Sequence, residues 1–422
     1  MKKLLFPALA GAALLALAAC GEKSAASAAA SAAEPPAAQT QPLRLMTDDE
    51  EFTGRTAGSA DGYYYVDRGS GVAANLRYID YATGQDVFLS SRPGGDHFSP
   101  EDESFLSSAA GSALAFPAGD ALYLVRTGAP SAASGQDGLA CIWVMGLDGS
   151  GRQVLYQGGS DEQLLSTIAA DGEALYLVRC VTQGDPPAQQ YTLAALSRSG
   201  GEMQTLCELP GYAKMIGAAD GCLLLHTIRD ESAQGTPQLQ HQLLCFSLAD
   251  SRLSQLTSWT HAQDVYASAD GSRLAIADVT AGTVTVWDFA AGQTLAAWPM
   301  EGHIPPGAGG LFFTGCRDGR FFYWNFAEEC LEALSLADGA WSRVSLAYDD
   351  PDKLEKRPVE IIADAGDAYL VCMDKEVTAR TYPGDGGAQP QRVEAAQPVY
   401  ALIGKDDYWA SEPRYRTVTY NT

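Results

Sequence analysis

Positive charge is scarce in this sequence. Lysine and arginine together number 28, against 52 aspartate and glutamate residues, and the formal net charge is -24 at pH 7. A surface of this sign repels polyanions and anionic lipid headgroups. The composition therefore argues against nucleic acid as a partner and against direct binding to a membrane surface.

Motifs for catalysis and metal binding are also missing. The five histidines show no HxH or HExxH spacing, and the nine cysteines include no CxxC pair, so a zinc site has no support. The acidic runs at 48–51 and 349–352 do not follow the spacing of a calcium loop. Gly69-Ser70-Gly71 and Gly149-Ser150-Gly151 are glycine-rich loops and not the elbow of a serine hydrolase. We expect no metal, no cofactor and no catalytic residue.

Long apolar runs are absent except at the N-terminus. Met1-Lys2-Lys3 precedes an apolar stretch from Leu4 to Ala19, which is too short for a permanent membrane span and is typical of a signal peptide. Leu17-Ala18-Ala19-Cys20 resembles the lipobox of bacterial lipoproteins. That resemblance implies removal of residues 1–19, lipid attachment at Cys20 and anchoring on the extracytoplasmic side of the cell membrane. An ordinary secretory signal that contains a cysteine is the alternative.

Residues 20–41 are rich in alanine, serine and proline and contain little to bury. This composition predicts a disordered tether between the lipid and a folded region over 42–422.

A repeat runs through the folded region. An Asp-Gly pair, or a close variant, is followed at once by an apolar run at eight places, whose aspartates are Asp61, Asp120, Asp171, Asp220, Asp270, Asp318, Asp367 and Asp406. Their successive separations are 59, 51, 49, 50, 48, 49 and 39 residues. Asp-Gly suits the centre of a type I′ hairpin turn, because both residues need positive φ there.

Most units carry a second turn signal 18 to 30 residues after the aspartate, as in Asp148-Gly149 and Ala291-Gly292. Two hairpins make four strands, and four antiparallel strands at this period predict an all-β protein, a single β-propeller. Small residues before the first turn, as in Ile216-Gly217-Ala218-Ala219, suit the crowded innermost strand. The last unit is short, so we expect the N-terminal segment Pro42–Met46 to pair with the C-terminal strands and close a ring of eight blades. Seven blades is the alternative.

The repeats resemble those of known propellers. Ser268–Ala275 leading to Val284-Thr285-Val286-Trp287-Asp288 is similar to a WD40 or TolB-like blade. Arg77–Gln85 is similar to the quinoprotein-like repeat. The layout also resembles the propeller lipoprotein of the outer-membrane β-barrel assembly machinery. The chain departs from these patterns in having one Trp-Asp, no Gly-His partner for it and no adjacent cysteines, and the last point argues against a quinone enzyme.

The connections between strands are unequal in length. The two hairpin turns of each unit are short and fall on one face of the disc, whereas the longer connections fall on the other, which we call the long-loop face. Recognition concentrates on loops held by a rigid scaffold. The candidate binding residues on this face are His97, Phe98, Arg126, Arg229, Trp259, His261, Trp298 and His303.

The sequence thus predicts a non-catalytic, membrane-anchored propeller that binds or scaffolds an exported protein, a peptide or a surface polysaccharide. Two alternatives stay open. One is a glycan-acting hydrolase or lyase with its site in the propeller channel, and the other is a structural subunit of an envelope assembly complex.

Overall fold

A computed structural model describes residues 41–48, 56–69, 73–92, 94–107, 113–128, 138–231, 238–304, 311–351, 355–384 and 388–421. The predicted signal peptide, Cys20 and all but the last residue of the tether lie outside these residues. One compact unit spans Thr40–Thr422. None of the helices in the described part of the chain is long and apolar enough to cross a membrane.

The described residues form seven sheets of four or five strands, each the blade of a β-propeller, plus one small two-stranded sheet. A short strand, β1 (Arg44–Leu45), precedes the first blade. Blade 1 contains β2 (Gly62–Arg68), β3 (Ala74–Asp80), β4 (Gln85–Phe88) and β5 (Phe105–Leu106), and blade 2 contains β6 (Leu114–Ala118), β7 (Ala121–Arg126), β8 (Cys141–Gly146) and β9 (Gln153–Gln157). Blade 3 contains β10 (Glu162–Ala170), β11 (Ala174–Gln183), β12 (Ala188–Ser197) and β13 (Gln204–Leu209). Blade 4 contains β14 (Tyr212–Ala219), β15 (Cys222–Asp230), β16 (Leu239–Ser247) and β17 (Arg252–Thr260).

The remaining strands belong to blades 5 to 7 and to the small sheet that precedes blade 7. Blade 5 contains β18 (Val265–Asp270), β19 (Arg273–Asp278), β20 (Thr283–Asp288) and β21 (Gln293–Pro299), and blade 6 contains β22 (Phe312–Arg317), β23 (Arg320–Asn325), β24 (Cys330–Ser335) and β25 (Trp341–Val344). The small sheet consists of β26 (Ala347–Asp349) and β27 (Lys356–Pro358). Blade 7 contains β28 (Glu360–Ala365), β29 (Ala368–Tyr382), β30 (Gln391–Gly404) and β31 (Arg416–Thr417), and the C-terminal strand is β32 (Thr419–Tyr420). One short helix, α1 (Lys405–Trp409), lies between β30 and β31.

Two of the five Asp-Gly pairs of the repeat form the predicted turn, whereas at Asp61, Asp171 and Asp270 the aspartate does not have positive φ. At Asp220-Gly221, between β14 and β15, φ is 49° and 73°, and at Asp318-Gly319, between β22 and β23, it is 47° and 68°. Positive φ at both central residues is the geometry of a type I′ turn, which matches the twist of antiparallel strands.

The β-propeller is confirmed, and the blade number is seven, the alternative, and not eight. The eighth repeat, at Lys405-Asp406-Asp407, does not begin a blade. It forms α1, with Asp406 and Asp407 in the first turn, where carboxylates interact favourably with the helix dipole. The chain beyond it supplies only the outer strand β31 of blade 7 and the closing strand β32.

Both chain ends enter the sheets, but they do not pair with each other as we expected. The N-terminal β1 pairs with β10 of blade 3, with Arg44 opposite Ala170. The C-terminal β32 adds to blade 1 in parallel with β4, with Thr419 opposite Gln85. The ring is therefore closed at the junction of blades 7 and 1, where the chain leaves β31 and crosses to blade 1.

Neighbouring blades bury apolar faces against each other. Between blades 3 and 4, for example, Val178 and Leu193 pack in one cluster with Met215 and Leu225. Each fully buried side chain of this size contributes roughly 1.5–3 kcal/mol, so the stacked blades stabilise one another. The eight cysteines after residue 20 are free thiols, and seven of them are buried.

Candidate functional site

The eight predicted binding residues all lie at the ends of strands or in connections that reach the long-loop face, but in four separate places. His97 and Phe98 lie between β4 and β5, and Arg126 ends β7. Arg229 and Trp259 lie near the ends of β15 and β17 on blade 4, and His261 follows β17. Trp298 lies near the end of β21 on blade 5, and His303 follows that strand. The structure therefore does not bring them into one site.

A cavity of about 720 Å³ lies at the junction of blades 7 and 1. We call it the seam pocket. Its walls come from β4, from the β29–β30 hairpin, from Phe98 and from the terminal segment that closes the ring. The residues that line it are Asp86, Phe88, Phe98, Glu376, Thr378, Ala379, Arg380, Thr381, Gln397, Pro398, Val399, Tyr400, Thr417, Val418 and Tyr420.

A stack of aromatic rings and arginine side chains runs along the seam pocket from blade 1 to blade 7. The imidazole of His97 stacks on Phe88 with centroids 4.4 Å apart. The Arg77 guanidinium lies 4.2 Å from the Phe88 centroid and 3.9 Å from that of Tyr420, and Arg380 covers Tyr420 at 3.9 Å. Cation–π contacts of this kind are favourable, the more so when water is excluded. They hold the terminal strand in place and give the pocket a rigid aromatic wall.

Two carboxylates hold this stack in register. Arg77 Nε donates to Asp86 at 2.9 Å, and both side chains are buried. Asp67 accepts from the Tyr420 hydroxyl at 2.9 Å and from Arg380 at 3.3 Å. Burial raises the pKa of Asp86, although Arg77 opposes the shift. Burial and the Asp67 carboxylate both raise the pKa of Tyr420. Each charge thus has a partner, so the wall keeps its shape without a ligand.

His97 is held by a carboxylate next to the seam pocket. Its Nδ1 lies 3.2 Å from Asp102, and the Ser90 and Ser104 hydroxyls donate to the same carboxyl group. Burial alone would raise the pKa of Asp102, but the hydrogen bonds from Ser104 and Ser90 lower it below its usual value. Within the described residues, no serine hydroxyl hydrogen-bonds the His97 ring. The Asp102 carboxylate thus fixes the orientation of the His97 ring, which packs on Phe88.

A chain of three imidazoles lies on blade 4. His226 Nε2 and His241 Nδ1 are 3.0 Å apart, and His241 Nε2 and His261 Nδ1 are 3.4 Å apart. The rings are within 25° of parallel, and Trp259 stacks against the first two. Burial lowers the pKa of His226 to about 3, with smaller contributions from Lys214 and His241. The nitrogens face each other and do not converge on a common point, so the chain is a hydrogen-bonded ladder and not a preformed metal site.

The remaining predicted residues have structural partners. Arg126 donates through Nε to the Leu139 carbonyl at 2.7 Å and lies over Trp143. His303 stacks on Trp341 at 4.2 Å and contacts the buried carboxylate of Glu332 at 3.0 Å.

Two further predicted residues differ in their surroundings. Trp298 packs so closely against Gly339 that a Cβ there would lie 2.4 Å from the indole. Arg229 is half exposed, and in the described part of the chain it forms an ion pair with Glu231 at 3.6 Å.

The central channel holds a cavity of about 880 Å³ whose wall is rich in small residues, among them Gly217, Ala218 and Ala269. This agrees with the composition of the inner strands. Two of its carboxylates are already bonded. Asp270 accepts from the Gly319 amide at 3.1 Å, and Asp364 from Lys405 at 2.6 Å. Asp48 also lines the cavity, so carboxylates are present in the channel and the hydrolase alternative stays open.

Most residues of the seam pocket carry no signal in the sequence. Arg77 and Tyr420 are more than 300 residues apart in the sequence, and no local pattern links either of them to Arg380. His226 and His241 carried a weak signal, because they lie on the neighbouring strands β15 and β16 of one blade.

Solved structures similar to this chain are β-propeller proteins. The oligogalacturonate lyase in complex with manganese is 13% identical, with a TM-score of 0.46, over 88% of this chain and 99% of that one. The propeller domain of the Trilobed protease from Pyrococcus furiosus is 11% identical, with a TM-score of 0.42, over 85% and 96%.

Puromycin hydrolase is 13% identical, with a TM-score of 0.49, over 87% of this chain and 54% of that one, so this chain spans about half its length. At such identities the similarity concerns the fold alone. Neither a protein-family model nor a curated protein sequence matches the chain.

Proposed function

We propose that this protein is a non-catalytic recognition propeller that binds a ligand in the seam pocket on its long-loop face. One observation carries the proposal: a cavity of ligand size has a rigid wall of aromatic rings, and every charged group behind that wall is already paired. Concave, largely apolar sites with a few placed polar groups are the usual form of binding pockets. The ligand would be an exported protein, a peptide or a surface glycan.

The chemistry of the wall supports binding over catalysis. Asp86 and Asp67 are bonded to arginine and tyrosine partners, so neither carboxylate is available as an acid or base without breaking a buried network. Phe98 and the ring edges of Phe88 and Tyr420 offer apolar surface against which an aliphatic or aromatic side chain can pack. The ring faces of Phe88 and Tyr420 are covered by the stack itself.

Phe98→Ala tests this site. Removing the ring should weaken ligand binding about tenfold, because truncating a central aromatic anchor of an interface commonly costs more than 1 kcal/mol. Full-length protein and the variant would be compared on a glycan array and on a library of linear peptides, with affinities measured by calorimetry.

Phe326→Ala is the matched control, since Phe326 is also a partly exposed phenylalanine but belongs to blade 6. Equal loss of binding in the two variants, or no loss in Phe98→Ala, would contradict the seam pocket as the binding site. Turnover of a glycan that survives in Phe98→Ala would support the hydrolase alternative.

The site would be displayed outside the cell by a lipid on Cys20. Replacement of Cys20 by serine should move most of the protein from the membrane fraction to the soluble fraction, because the lipid is the only anchor that the sequence predicts. Fractionation followed by immunoblotting measures this. Retention of the serine variant in membranes would contradict lipid anchoring at this residue.

A further inference from the structure

The outer side of blade 7 is incomplete beside the seam pocket. β30 has 14 residues, from Gln391 to Gly404, and pairs with β29 along its whole length. Its outer neighbour β31 has only two residues, opposite Ala401 and Leu402. Among the described residues no strand pairs with the outer side of Gln391–Val399. We call this stretch the open lane.

The outward backbone groups of the open lane follow from one hydrogen bond. The Val418 amide donates to the Tyr400 carbonyl at 2.9 Å, so the polar groups of Tyr400 face outward. Along a strand the backbone groups alternate between the two sides. The N–H and C=O of Ala396 and Glu394 therefore also face outward, as does the C=O of Pro398. Pro398 has no amide hydrogen, but because its backbone faces outward, no hydrogen bond to β29 is lost there.

The open lane borders the seam pocket. Gln397, Pro398 and Val399 belong to both, and the chain that leaves β31 toward blade 1 forms the base of the pocket. A strand placed in the open lane would continue the line of β31 and direct side chains from one of its faces toward Phe88 and Phe98. Backbone pairing combined with side-chain pockets is how proteins recognise extended peptides by strand addition.

We infer that the ligand of the seam pocket is an extended peptide segment of a second protein, which adds as a strand along the open lane and inserts an apolar or aromatic side chain into the pocket. The inference rests on the proposed function. The lane of nine residues spans roughly 27 Å, room for a segment of similar length. With a net charge of -24 on the chain, a segment without acidic residues is favoured.

The test uses displayed linear peptides of nine residues selected on the full-length protein. Backbone N-methylation of a selected peptide removes one N–H at a time. Methylation at every second residue should weaken binding at least tenfold, whereas methylation at the intervening residues should change it less than twofold, because only one set of amides faces β30.

The matching protein variants act on one outward amide. Ala396→Pro removes the N–H and should weaken binding at least tenfold, while Ala396→Ser keeps it and should bind within twofold of the unmodified protein. Equal effects of methylation at all positions, or full binding to Ala396→Pro with an unchanged melting temperature, would overturn strand addition.

These experiments distinguish failure of the peptide inference from failure of the proposed function. If only glycans bind, and Phe98→Ala abolishes that binding, the proposed function stands and the peptide inference is wrong. If peptides bind but neither Phe98→Ala nor Ala396→Pro affects them, both are wrong.

Discussion

Replacing Arg77 by methionine is expected to lower the free energy of unfolding by about 3–5 kcal/mol. Arg77 and Asp86 are both buried and 2.9 Å apart, and removal of one partner leaves the other charge without compensation in a region of low polarity. Arg77 also lies between Phe88 and Tyr420 and donates to the Asn421 carbonyl at 2.6 Å. Its loss therefore frees the closing strand as well. Denaturant unfolding followed by circular dichroism measures the change.

The double replacement Arg77→Met with Asp86→Leu should recover part of the loss, because no buried charge is then left unpaired. Arg414→Ala is the control, since Arg414 is largely exposed and pairs with Asp407 at the surface, where an ion pair contributes about 1 kcal/mol or less. A loss below about 1 kcal/mol for Arg77→Met would show that the seam does not depend on this pair.

Stability should fall in acid because of the imidazole chain on blade 4. In the native state burial lowers the pKa of His226 to about 3, whereas an unfolded histidine titrates near 6.5. The unfolded state thus binds more protons between these values, and the stability present above pH 6.5 is lost as the pH falls toward 3. The full effect is on the order of 5 kcal/mol.

His226→Phe keeps a ring next to Trp259 and cannot be protonated. Its free energy of unfolding should therefore change less between pH 7 and pH 4 than that of the unmodified protein. Some pH dependence should persist, because burial also lowers the pKa of His241. Arg229→Gln, on the same blade, is the control and should keep the original pH dependence. Identical slopes for His226→Phe and the unmodified protein would contradict the role of His226.

The number of blades could not be inferred from the sequence repeat alone. Asp270-Gly271 and Lys405-Asp406-Asp407 resemble each other in sequence, since both are flanked by residues that favour strands. The first is a hairpin turn, and the second begins a helix. The two segments differ in the strand that follows them. After Asp270-Gly271, β19 returns to pair with β18, whereas the residues after Trp409 supply only a two-residue outer strand. Local pattern cannot show that a partner is missing.

The sequence by itself determined the propeller, its hairpin turns and the small residues of its inner strands, because turn chemistry and the alternation of side chains act over a few residues. It also placed His97 and Phe98 on a long connection. Only the tertiary structure decided the blade number, the separate docking of the two chain ends and the stack in which Tyr420 lies between Arg77 and Arg380. These features depend on contacts between residues hundreds of positions apart, which form only when the ring closes.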